Sequence, residues 1–240
     1  PFRRLPLDDS ETLVRKLSSL GICQAWAGSF EGLLHRDIAS VNQRLADECR
    51  KYPMLVPVGS INPELPGWEE ELRRCVEVHK MPGVRLHPNY HNYTLSDSRF
   101  RQLMKAVSSA GLFIQLAISM EDTRTQHPLV VVPDVDVSPL VELLPRIRGA
   151  QVQLLNHRLR GTLLEQLGNT PGVYFDTSRI DSTDGVPAIT ASVPAGRVLF
   201  GTHAPFLIPE AALIRTHESN QLDVEELHAL LSQNARRFMP

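Results

Sequence analysis

The residues best suited to chemistry in this chain are its histidines. Six of the nine, His35, His87, His91, His127, His157 and His203, fall at the ends of apolar runs or in the segments that lead from a run to the next helix. Imidazole titrates near neutral pH and offers either ring nitrogen to a proton or a metal, so such a cluster could serve acid–base or metal chemistry. His87, His157 and His203 end their runs directly, in GVRLHP, VQLLNH and VLFGTH. His35 and His127 stand in polar stretches that collect histidine for ordinary reasons, and His79, His217 and His228 belong to helical stretches where a solvated ring is the common case.

The elements that must position these rings alternate along the whole chain. Apolar or β-branched runs occur at Ile22 to Ala27, Leu55 to Ile61, Gly83 to Leu86, Leu112 to Leu116, Val152 to Leu155, Val173 to Phe175 and Val198 to Gly201. Amphipathic stretches separate them, with Asp and Ser start signals before Leu13, Val41 and Phe100, and glycine stops at Gly21 and Gly111. Further helices are expected at Trp68 to Val78, Val137 to Leu144 and Val224 to Phe238. This βα alternation predicts an α/β fold of the TIM type, a (β/α) barrel with seven strands visible. A helix precedes every strand, so the usual first strand is missing and would lie upstream of Pro1, leaving a gap between the strands near Ile22 and Val198. An open doubly wound sheet is the alternative, but no glycine-rich dinucleotide fingerprint follows any strand. One barrel domain over residues 1–240 accounts for the pattern.

In a barrel the C-terminal strand ends form the working face, which places His157 and His203 there as candidate catalytic groups. Side chains alternate along a strand, so His87 in the mouth puts Arg85 on the same face one layer deeper, and puts Gln115 and Gln153 beneath Ala117 and His157. A permanent charge in that interior needs a partner. Arg85 either pairs with an internal carboxylate such as Asp176 or binds a substrate carboxylate. The segment NYHNY, with His91 and Tyr93, is expected to form an aromatic rim over the site.

Lysine plus arginine number 25 against 27 acidic residues, with a formal charge of -2 and no block of like charge, which excludes a nucleic-acid footprint. No apolar run approaches the ~20 residues of a membrane span. Cys23, Cys49 and Cys75 lack CxxC spacing and suit reduced thiols in a cytoplasmic protein, with Cys23 and Cys75 as core filler. GxSxG, P-loop and HExxH motifs are absent.

The motifs GSINP at 59–63, GVRLHP at 83–88, VYFDTS at 173–178, FGTHAPF at 200–206 and NARRF at 234–238 resemble the second amidohydrolase family, the metal-dependent barrel hydrolases and decarboxylases. The resemblance implies a small carboxylate-bearing substrate, a homodimer and a divalent, zinc-type metal. Its ligands there are an HxH pair on the first strand, a histidine on the fifth and an aspartate on the eighth, with a sixth-strand histidine assisting proton transfer. This chain has no HxH pair. Ala117 stands at the fifth-strand position and His203 at the eighth, while His157 matches the sixth-strand histidine. The inherited ligands are therefore absent or replaced. Two function classes follow: a hydrolase or decarboxylase, or a catalytically silent barrel that binds a metabolite or acts as a scaffold.

Overall fold

A computed structural model describes residues 5–122, 124, 126–218 and 220–239. The expected runs become parallel strands: β1 (Ala25–Ala27), β2 (Leu55–Pro57), β3 (Gly59–Ser60), β4 (Gly83–Leu86), β5 (Phe113–Ala117), β6 (Val152–Leu155), β7 (Val173–Asp176) and β8 (Val198–Leu199). The second run is divided: β2 pairs back with β1, β3 pairs onward with β4, and Val58 between them donates its N–H to Ala27 O at 2.8 Å. From β3 the order runs without interruption to β8. Among the described residues β1 and β8 do not pair, so the barrel wall is open at the expected gap.

The helices are set by local signals. Helix α1 (Ser10–Ser19) is capped by Asp9, which accepts from Thr12 N at 2.7 Å, and α2 (Ile38–Cys49) by Asp37, which accepts from Ser40 N at 3.0 Å. They are followed by α3 (Trp68–Glu77), α4 (Ser98–Ser109), α5 (Leu140–Leu143), α6 (Gly161–Asn169), α7 (Gly185–Ser192), α8 (Pro209–His217), α9 (Val224–His228) and α10 (Asn234–Phe238). Helix α5 is shorter than expected and passes into a 3₁₀ turn at Leu144–Arg146. Pro139 and Pro145 flank it, and Pro145 has no backbone N–H to continue the α-helical hydrogen bonds. The C-terminal helix is interrupted by a π-turn at Ala229–Gln233. Cys49 and Cys75 are buried, but Cys23 is exposed, because the first strand starts at Ala25 and leaves it outside the sheet.

Strand parity divides the apolar residues into two cores. Val84, Leu86, Ile114, Leu116, Leu154 and Phe175 face outward and pack with Phe100, Leu103 and Met104 of α4 and with the other helices. The opposite parity points into the barrel. At one end of the interior Phe113, Val58 and Leu199 meet Phe238 from α10, with Trp26 and Tyr174 against them. The Phe238 ring lies 4.5 Å from Tyr174, 5.0 Å from Phe113 and 5.7 Å from Trp26. The NARRF helix thus plugs the barrel floor. Truncating this fully buried ring in Phe238→Ala removes the plug, with an expected loss of about 3–5 kcal/mol. Urea unfolding measures it; a midpoint equal to wild type refutes the plug.

Candidate active site

Above the plug the interior turns polar. Arg85, Gln115 and Gln153 stand side by side in register on β4, β5 and β6. Arg85 Nε and Nη2 donate to Gln115 Oε1 at 2.9 and 2.7 Å, and Gln115 Nε2 donates in turn to Gln153 Oε1 at 2.8 Å. Nη2 also reaches Trp26 O at 3.4 Å. The guanidinium lies against Gly28, where a Cβ would come within 2.5 Å of Nη1, so only glycine leaves room for it. Burial pulls the Arg85 pKa down to about 10, with the charge of Asp176 opposing, and the group remains cationic at neutral pH. No carboxylate of the described residues comes within ion-pair distance of it, and Arg85 lines a cavity of about 1350 Å³. Parity therefore places Arg85 as expected, and the internal pair with Asp176 does not form.

Asp176 ends β7 and lines the same cavity. Its Oδ1 accepts from Asn156 N at 3.1 Å, Ser178 N at 3.3 Å and the Ser178 hydroxyl at 2.9 Å. Its Oδ2 lies over Gly201, where a Cβ would approach to 2.4 Å. Burial raises the Asp176 pKa to about 6, against the lowering effect of those donors and of Arg85.

His203 also lines the cavity, its ring stacked on Phe206 at 5.1 Å. Its Nε2 lies 3.1 Å from Met120 O. A carbonyl can only accept, so in the neutral ring Nε2 carries the hydrogen and Nδ1 the lone pair. Burial lowers its pKa to about 4, which keeps the ring neutral at pH 7. His87 is buried on the cavity wall with an unpartnered Nδ1, and burial pushes its pKa well down.

Other sequence candidates fall elsewhere. His157 is buried but does not line the cavity; its ring packs edge-on against Phe175 at 5.4 Å. The cause is Asn156, whose left-handed φ of 57° ends the strand alternation one residue early and turns the next side chain outward. Asn156 itself takes the inward place. The aromatic rim is not built. Tyr93 is buried in the outer core, stacked 6.1 Å from Phe100, and His91 is spent on Gly32 O at 2.8 Å. Tyr90 packs instead with Leu33, Ala117 and Met120. The segment turns at Asn92, whose φ of 58° folds it back on the helical layer.

The sequence reading missed Gly28, Gly201 and the apolar branch of the cavity. Gly28 directly follows the end of β1 and Gly201 lies two residues beyond β8, a signal that a close neighbour needs the space. The apolar branch runs out through the wall gap, between Leu13 and Leu17 of α1 and Leu213 and Leu231 on the C-terminal side. A Lys16–Glu210 ion pair joins α1 to α8 across it.

A catalytic divalent metal normally needs three protein ligands besides water. Ala117 offers none, His203 Nε2 is engaged by a carbonyl, and among the described residues no three His, Cys, Asp or Glu side chains converge. The donor set does not fit the metal.

A β/α barrel with a deep polar pocket at one end of its strands is the class these features define. Residues 27–240 match the family model described as amidohydrolase, and the chain belongs to that family. The fold is shared with 2,6-dihydroxybenzoate decarboxylase from Rhizobium, at 16% identity and a TM-score of 0.72 over 98% of this chain and 89% of that one. It is shared also with 5-carboxyvanillate decarboxylase from Sphingomonas paucimobilis, at 13% identity and 0.75 over 97% and 83%. A dihydroxybenzoic acid decarboxylase from a Polaromonas species, solved with manganese and 2-nitroresorcinol, aligns at 14% identity and 0.74 over 97% and 86%. Comparison with curated proteins gives no match. No helix among the described residues is long and apolar enough to cross a membrane.

The seat of Arg85 can be tested on its own. Gly28→Ala forces the guanidinium off its site, at a cost of about 1–3 kcal/mol for an overpacked contact. Thermal unfolding should show a lower Tm, and Arg85→Met should remove most of that penalty; an additive double variant would separate the two positions.

Proposed function

We propose that this chain acts on a small carboxylate-bearing molecule held in the barrel cavity, as a hydrolase or decarboxylase of the amidohydrolase kind. The observation that carries the reading is Arg85: a permanent cation facing the cavity with no carboxylate of the described residues within ion-pair distance. Leaving such a charge uncompensated in a low-dielectric interior is costly, and a ligand carboxylate meets the guanidinium with charge-assisted hydrogen bonding. Gln115 and Gln153 hold the guanidinium in place.

His203 supplies the proton chemistry. Its Nε2–H is tied to Met120 O, so Nδ1 is the basic nitrogen, suited to take a proton from an attacking water. His157 has no part, since its ring lies off the cavity. The family's metal would supply Lewis-acid activation of water or substrate, but these residues do not hold it, and no step here is routed through it. The solved relatives act, by name, on 2,6-dihydroxybenzoate and 5-carboxyvanillate, which makes aryl carboxylates the first substrates to try.

The poor donor set also favours a second reading, a barrel that binds such an acid without turning it over. Calorimetric titration and a carbon dioxide release assay with the two aryl acids, alongside an ester and lactone panel, separate the readings. Arg85→Met is expected to weaken binding by about 1.5–3 kcal/mol, the worth of hydrogen bonds to a charged group. His203→Gln is expected to lower turnover by about 10²–10⁴ with little change in affinity. Binding with no turnover of any substrate supports the silent barrel; binding unaffected by Arg85→Met overturns the site.

A further inference from the structure

Two charged side chains face the cavity interior from neighbouring layers of the wall, Arg85 from β4 and Asp176 from β7. They do not pair: the guanidinium donates through Nε and Nη2 to Gln115 and Trp26, with Nη1 given no partner by the described residues, and the Asp176 Oδ1 accepts from Asn156 and Ser178. The second carboxyl oxygen, Oδ2, receives no hydrogen bond from the described residues and lies on the cavity side, in the space that Gly201 leaves open. An anion entering to meet Arg85 therefore encounters an oxygen of Asp176 that has no donor of its own. Two carboxylates that share a site cannot both stay ionised without a large penalty, whereas a carboxylic acid and a carboxylate form a strong, short hydrogen bond.

We propose that Asp176 receives the ligand carboxylate in its protonated form, so that each anion bound at Arg85 brings one proton from solvent onto Asp176 Oδ2. The balance is simple: one ligand anion and one proton enter, the Asp176 O–H donates to the ligand, and the net charge of the cavity is unchanged. The ligand selected is a monocarboxylate with its negative charge between the two side chains. This inference rests on the reading of Arg85 as the anion anchor.

The other groups around Asp176 do not compete for that proton. Ser178 and Asn156 beside it, Gln115 and Gln153 across the interior and Gly201 on the next strand carry no charge. His157 and His203 have pKa values held down to about 4 by burial, and His87 is pushed well down, so all three are neutral through the range of interest. Arg85 stays cationic. Burial already raises the Asp176 pKa to about 6, so the carboxyl beside Arg85 itself changes charge between weakly acid and neutral pH. The sign follows: below that value Asp176 is already protonated and affinity is flat, and above it each bound anion must take up a proton.

Calorimetric titration with 2,6-dihydroxybenzoate from about pH 5 to about pH 8, in two buffers of different ionisation enthalpy, measures affinity and proton uptake together. The dissociation constant should be constant at the acid end and rise about tenfold per pH unit above the Asp176 pKa, with uptake approaching one proton per ligand. Asp176→Asn keeps an acceptor at Oδ1 and presents an amide N–H where the acid presents O–H; it should flatten the profile and abolish the uptake. A flat wild-type profile, or a slope that persists in Asp176→Asn, overturns the proton coupling while leaving Arg85 as anchor. Absence of binding by wild type, or equal binding by Arg85→Met, overturns the anchor and the coupling with it.

Discussion

A fixed positive charge inside a barrel is the constraint around which the rest of this structure is arranged. Arginine cannot shed its proton as lysine can, so the interior has to accommodate a cation at every pH. It does so with neutral dipoles: Gln115 accepts from two guanidinium nitrogens, Gln153 accepts from Gln115, and the Trp26 carbonyl contributes a longer contact. A glutamine dipole satisfies the hydrogen bonds but not the charge. The electrostatic need is left open toward the cavity, where an anion can meet it.

The layers on either side serve that arrangement. Beneath it, Phe238 and its ring partners seal the floor and keep the guanidinium from bulk water at that end. Above it, the strand ends carry rings that burial keeps neutral, His87 and His203. Neutral imidazoles next to a cation add no repulsion, and they present lone pairs where charged rings would present only donors. Asp176 lines the same cavity, and its partners are divided so that one oxygen is fixed and the other is open to the cavity. The two glycines beside Arg85 and Asp176 have the same physical role, since each gives a charged head group the volume a methyl would take.

Family membership and site chemistry point in different directions, and the difference is instructive. The match to the amidohydrolase family model runs from residue 27 to 240. At the two positions that the resemblance would assign to the family's metal, Ala117 contributes a methyl to an apolar cluster with Leu33 and Met120, and His203 is turned to a carbonyl. Packing tolerates such exchanges at strand ends because the barrel's stability resides in the outer core and the plug, not in the mouth. Positive charge is still provided in this interior, but by a side chain of β4.

The sequence by itself determined the βα alternation, the parallel order and the inward face of β4 and β5. Those follow from periodicity: apolar alternation at a spacing of two fixes which residues share a face, and Arg85, Gln115 and Gln153 land together because parity is a local property. The helix starts at Asp9 and Asp37 were legible for the same reason, since a cap is a contact within three residues. Only the tertiary structure decided what happens where strands end. A left-handed Asn156 turns His157 out of the site, and a turn at Asn92 takes Tyr93 into the outer core. Whether Arg85 paired with Asp176 or faced the cavity depended on separations across the barrel, between strands far apart in the chain. Such distances are set by packing of the whole wall, and no local pattern encodes them.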